Sequence, residues 1–377
     1  MDVMCKRVAA CIVFVSFALC AQNASPDRQK AEDDLRTAIA LTRRGQFQQA
    51  IPYFLQIQGR VSENFAVDFN LALCYIGTRQ YDAAIQSLAN LKGNTQQNAA
   101  IENLRAQAYV RTHRDKEAWG ALEKAIALTP ADEKLYLFVS DACLDEGEYD
   151  LGLKIVDAGL RNLPDSPRLF YQRGLFRLWL DGIEVANHDF ERAHELSPDS
   201  DIGYIAAAQQ ALISADMEAA IRTTREAIRK GHEHYMLLTI LGEALLRSGA
   251  ATATSSELRE AQAALEKAVA ERPEYSSAQL ALGKLYLLEN RFNEAISHLQ
   301  ISRELQSSNP AVYAVLATAY RRMGDRERAR AMLSVLAQLN EQEGARIASA
   351  SGGHTGVAPA VQMQKEAPTE SQAAPPH

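Results

Sequence analysis

Pro130, Pro164 and Pro198 stand 34 residues apart, and a set of small residues keeps the same step along most of the chain. With Ala31 as position 1, units begin at Ala31, Phe65, Ala99, Glu133, Pro167, Asp201 and Tyr235 and, after one longer unit, at Ser276 and Pro310. Position 8 is Ala, Ser or Gly in every unit, from Ala38 to Ala317, and position 20 is Ala or Gly in every unit, from Ala50 to Ala329. Self-similarity at this period implies a stack of like units, none of which can bury its apolar face alone. The function of such a chain is to be sought on a surface.

Positions 8 and 20 fall where two antiparallel helices would cross, and a larger side chain there would hold the backbones apart. Larger apolar residues surround that crossing. Position 4 carries Tyr136, Phe170, Tyr204 and Tyr313, position 11 carries Leu41, Tyr75, Tyr109, Tyr286 and Tyr320, and position 17 carries Phe47, Tyr81, Tyr149 and Phe292. Position 24 carries Phe54, Leu88, Leu122, Phe190, Leu265, Leu299 and Leu333. Spacings of three, four and seven put each set on one helical face. Gly45, Gly147, Gly249 and Gly324 at position 15 suit a left-handed residue that ends the first helix. The prolines stop the second helix, and Asp132, Asp165 and Asp199 are predicted N-caps of the helices that follow.

Runs such as AWGALEKAIALTP (Ala118 to Pro130) and GKLYLLENRFNEAISHL (Gly283 to Leu299) resemble the tetratricopeptide repeat family, and the resemblance covers residues 31–343. It implies an all-α fold, a right-handed α-solenoid superhelix of about nine helix-turn-helix repeats. Individual units depart from the pattern: Thr224 replaces the large apolar residue at position 24 of the sixth. The seventh carries extra residues around Ala250 to Glu257, mostly Ala, Thr and Ser, which predicts a loop between its helices. In the ninth, Arg330 at position 21 and Ala337 at position 28 predict a polar end face that closes the array.

The ends read differently. Lys6 and Arg7 followed by the apolar run Val8 to Ala21 predict a signal peptide over residues 1–21, too short for the roughly 20 apolar residues of a membrane span. The expectation is an exported protein, periplasmic or secreted. An uncleaved signal anchor and lipidation at Cys20 are lesser readings, the latter weakened by Leu19 in place of a small residue. Residues 22–30 read as a linker. Residues 344–377, rich in Ala, Ser, Gly, Pro and Gln, read as a disordered tail. Cys74 and Cys143 lie two units apart, beyond the roughly 7 Å that a disulfide allows between Cα atoms, and read as small core residues.

A net charge of −7 argues against binding nucleic acid by phosphate neutralisation. No phosphate-binding glycine loop, nucleophile elbow or His-Glu-x-x-His motif is present, so no catalytic residue, cofactor or metal is expected. His232-Glu233-His234 falls at a junction between units and reads as an exposed turn. In the family, positions 2, 5, 9, 12 and 13 of the first helix line the concave surface. The resemblance therefore implies a partner-binding groove of Phe69, Leu73 and Ile76, then Gln107 and Arg111, then Leu137, Asp141, Leu144 and Asp145. It continues through Tyr171, Leu175, Leu178 and Trp179 to Ile202, Ile205, Gln209, Leu212 and Ile213. Asn70 and Asn103 have no lysine beside them, which argues against a clamp for a peptide's C-terminal carboxylate.

Three functions remain. The favoured one is a non-catalytic scaffold of the bacterial cell envelope that binds a peptide or helix of another protein in an apolar groove. The alternative is a self-associating structural component of a secretion or outer-membrane assembly. The least favoured is an enzyme using the carboxylates of Asp141 and Asp145, which share a helix face.

Overall fold

The computed structural model describes residues 26–61, 64–89, 91–249 and 256–351. They form eighteen α-helices in nine antiparallel pairs, with no strand among the described residues. The first helix of each pair is called A and the second B. Successive pairs stack as an all-α solenoid, each B helix packing on its own A helix and on the next one.

From the fourth repeat onward the A helices begin at Glu133, Pro167, Asp201, Tyr235, Ser276 and Pro310, the residues at which the 34-residue frame begins each unit. The first three begin earlier. Helix A of the third repeat starts at Thr95 because Asn94 and Gln97 form a reciprocal capping box that fixes its first turn. Helix A of the first starts at Pro26, inside the segment read as a linker; proline suits a first helical position and Asp27 follows it in the first turn. At the other end, the last helix runs from Arg326 to Ser351, past the point where the tail was expected to begin. A missing apolar stripe does not by itself end a helix. An alanine-rich stretch without proline can still extend a helix already nucleated. The expected signal, residues 1–21, and the loop predicted around 250–257 fall largely outside the described residues; helix B of the seventh repeat begins at Ser256.

The small residues sit where the packing requires them. Every residue at positions 8 and 20 is buried. A Cβ added to Gly174, Gly242 or Gly283 at position 8 would come 2.7, 2.4 and 2.6 Å from the position-24 side chain of the same repeat, Phe190, Leu265 and Leu299. One added to Gly152, at position 20 of the fourth repeat, would come 2.1 Å from the ring of Phe176 in the fifth. Position 8 thus sets the spacing within a pair and position 20 the spacing between pairs. The ninth repeat departs from the rule: Leu333, at its position 24 on the last described helix, is 52% exposed.

The turn between helices A and B is equally regular. The N–H of position 16 donates to the carbonyl of position 11, as in Gln46 to Leu41 (2.9 Å), Glu148 to Cys143 (2.9 Å) and Asp325 to Tyr320 (2.9 Å). That closure needs a left-handed residue. Gly45, Gly147, Gly249 and Gly324 provide it, and the four non-glycine residues with positive φ, Arg79, His113, Ala215 and Asn290, all occupy the same position 15. In the fifth repeat the role shifts one residue, to Gly182. Of the predicted N-caps, Asp132 caps Lys134, but Ser166 and Ser200 take the role assigned to Asp165 and Asp199. Their short hydroxyls reach the amides of Leu169 and Gly203.

Two substitutions test this account by denaturant unfolding. Ala215→Gly removes a left-handed alanine that is exposed and should stabilise the chain by about 1 kcal/mol. Gly152→Ala forces a methyl group against the buried Phe176 ring and should destabilise it by about 1–3 kcal/mol despite alanine's better helix propensity.

Candidate functional site

The inner wall is built by the A helices, and much of it is closed. Phe69, Leu73 and Ile76, expected in the groove, are buried in one cluster with Leu35, Ile39, Leu104 and Ala108 of the flanking A helices. Phe69 also stacks on Phe65 with ring centres 5.7 Å apart. Tyr171 and Ile205 are buried likewise, with Leu237, Ile240 and Ala244 of the seventh repeat. Tyr171 packs on Phe190 at 5.5 Å, and burial, with Tyr275, Tyr235 and Asp141 nearby, pushes its phenol well above the ordinary tyrosine range. Adjacent A helices approach so closely that positions 5, 9 and 12 of the second repeat, position 5 of the fifth and positions 5 and 12 of the sixth become core. Six of the expected groove residues, Phe69, Leu73, Ile76, Tyr171, Ile205 and Leu212, therefore present almost no free surface.

The remaining expected residues stay at least partly open. Gln107, Leu137, Asp141, Leu175, Gln209 and Ile213 are half-buried. Gln107 donates to Asn103, and Gln172 to Asp141, which ties one repeat to the next. Arg111 meets Asp145 at 2.8 Å and Glu146 at 3.0 Å, one repeat on. Burial works against the Arg111 charge, but Asp145, Tyr81 and Glu146 together raise its pKa above the ordinary arginine value. The two asparagines are structural: Asn70 donates to the Ala66 carbonyl, and Asn103 to the Leu135 carbonyl of the following repeat.

The most open of these residues is Trp179, 44% exposed and lying flat on Tyr149 with ring centres 5.0 Å apart and planes within 5°. Ile183 and Val185, just across the turn at the start of helix B, are exposed as well. The frame assigned Trp179 to the inner surface, but exposure at Ile183 and Val185 has no counterpart in the repeat pattern. The exposed acids Asp181 and Glu184 lie among these three residues in sequence. An apolar surface with an acidic border can hold an apolar segment carrying basic groups.

The same repeat holds an ion cluster that the apolar periodicity concealed. Asp189 is fully buried and accepts from Arg173 at 2.6 Å and from Arg177 at 3.0 Å; Arg173 also reaches Asp157 of the fourth repeat at 3.3 Å. Arg177 stands at position 11, where the other repeats carry Tyr, Leu, Cys or Ala, and that charged exception is the sign of the cluster in the sequence.

Among the described residues no group of three His, Cys, Asp or Glu could hold a metal ion. His232 is bonded to Asp201 at 2.7 Å, and the ring of His234 caps the Met236 amide. Cys74 and Cys143 are buried free thiols, and desolvation pushes that of Cys74 up to about 12. No helix among the described residues is long and apolar enough to cross a membrane.

A sequence model of the tetratricopeptide repeat matches residues 41–108 and 254–306. Mouse tetratricopeptide repeat protein 16 is 22% identical over 180 residues, which is 44% of this chain but only 24% of that protein's length. Among solved structures, a tetratricopeptide repeat protein from Parabacteroides merdae aligns with a TM-score of 0.47 at 15% identity, covering 68% of this chain and 98% of that one. Yeast Tom70 aligns with a TM-score of 0.43 at 16% identity, covering 93% and 69%.

Removing the carboxylate of Asp189 strands two arginines in the packed layer. Asp189→Ala should cost about 3–5 kcal/mol in a urea titration. A loss below 1 kcal/mol would show that water reaches Arg173 and Arg177.

Proposed function

We propose that this chain, whose sequence matches a tetratricopeptide repeat model over residues 41–108 and 254–306, is a non-catalytic scaffold that docks a segment of another protein at the turn of the fifth repeat. The observation that carries this reading is Trp179, an open aromatic ring supported by Tyr149 and accompanied by the exposed Ile183 and Val185. Rigid aromatic groups of this kind dominate protein interfaces because they bury a large area at a small entropic cost. The partner segment is apolar with basic flanks, complementary to Asp181 and Glu184. The carboxylates considered for hydrolysis are engaged elsewhere, Asp141 with Gln172 and Asp145 with Arg111, which supports a scaffold over an enzyme. Export to the cell envelope belongs to the same proposal and rests on the apolar run Val8 to Ala21.

The test compares the native chain with Trp179→Ala and with Ile183→Ser in pull-downs from envelope extracts, read by quantitative mass spectrometry. A partner retained by the native chain should be lost from Trp179→Ala, whose affinity should fall about 30-fold, the equivalent of about 2 kcal/mol. Its melting temperature should change little, because the ring is nearly half exposed. An unchanged set of retained proteins would overturn the site, and a cytoplasmic location on fractionation would overturn export. A second reading, self-association, is favoured by the exposed Leu333 on the last helix. A monomer in static light scattering removes it.

A further inference from the structure

Nearly all polar contacts between repeats join neighbours, but one set does not. The turn leading from the eighth repeat into the ninth reaches back to the second and fourth repeats. Gln306 donates to the Leu144 carbonyl at 3.3 Å, and the Ser308 hydroxyl to the Asp145 carbonyl at 3.5 Å. The guanidinium of Arg79 donates to the carbonyl of Glu304. A Cβ built on Gly147 would lie 3.4 Å from the Cβ of Ser308. One coil of the superhelix here touches an earlier coil, edge to edge.

We propose that this turn is a latch that holds the superhelix closed, and that its release exposes the inner wall beside the docking surface. Three features make the contact releasable. Its three hydrogen bonds all end on carbonyls in the last turn of a helix, where no intrahelical amide is available and water can replace the donor. No residue from Gln306 to Asn309 is fully buried, so the contact is not sealed by an apolar core. It also leaves the crossing positions 8, 20 and 24 untouched, so every repeat keeps its own packing when the latch opens.

The latch meets the turn of the fourth repeat, and that turn leads into Tyr149, the ring beneath Trp179. The half-buried Leu137, Asp141 and Leu144 line the inner wall at this point. Opening the coil would therefore lengthen the surface available to a segment docked on Trp179. This coupling rests on the docking role proposed above, whereas closure itself does not.

Two experiments on the full chain test closure without any partner. In the first, Gly147→Cys is combined with Ser308→Cys. The Cβ separation is close to the 3.5–4.5 Å typical of disulfides, so mild oxidation should join residues 147 and 308 within one monomer, as mapped by peptide mass spectrometry. A chain with native helical circular dichroism that forms no such bond would overturn the latch. The second experiment keeps Gly147, whose φ of +78° strains any replacement. Gln306→Ala with Ser308→Ala should raise the radius of gyration in small-angle X-ray scattering and increase the fluorescence of added 8-anilinonaphthalene-1-sulfonate, with circular dichroism unchanged. A radius and dye signal equal to those of the native chain would overturn the proposal. An unchanged set of proteins retained by Trp179→Ala, with both closure results as expected, would refute the docking role and leave the latch standing.

Discussion

The fold depends on how closely two helices can approach. At position 8 the backbone of helix A comes near enough to helix B for the position-24 side chain to rest on bare backbone, as Phe190 does on Gly174 and Leu299 on Gly283. Position 20 does the same between repeats, with Phe176 seated over Gly152. Where the crossing residue is glycine, an added methyl group displaces a ring or a leucine that is itself buried. Because the geometry recurs in every pair, small errors in it would add along nine repeats. That explains why these two positions tolerate so few residue types while the exposed faces vary freely.

A second constraint, in the turn, varies more in residue type than in shape. The left-handed residue at position 15 is glycine in only four repeats, yet Arg79, His113, Ala215 and Asn290 adopt the same conformation at the same place. The hydrogen bond from position 16 to position 11 fixes the backbone, and the side chain at position 15 bears the strain. Conformation here is imposed by closure of the turn and not by local propensity.

The frame of repeats, the small crossing residues and the four turn glycines were legible in the sequence because each follows from a fixed spacing. The capping residues were legible only to within one position. Asp165 and Ser166 are equally good caps on composition, and the exact register of the turn decides between them. The groove was legible as a face but not as an open surface. The family resemblance assigns Phe69, Tyr171 and Ile205 to the inner side, whereas their burial depends on how closely the A helices pack around that side. The ion cluster at Asp189 was hidden for another reason: a periodic search for apolar residues passes over a charged exception such as Arg177.

The bonds between the fourth repeat and the turn after the eighth also change how the chain responds to a pull on its ends. A solenoid whose units touch only their neighbours unravels from either end, one pair at a time. Here the repeats from the fourth to the eighth form a loop closed by Gln306 and Ser308, and tension applied at the ends bypasses that loop while the bonds hold. The outer repeats would lengthen first, and the middle of the array, with Trp179 inside it, would keep its shape until the closure gave way.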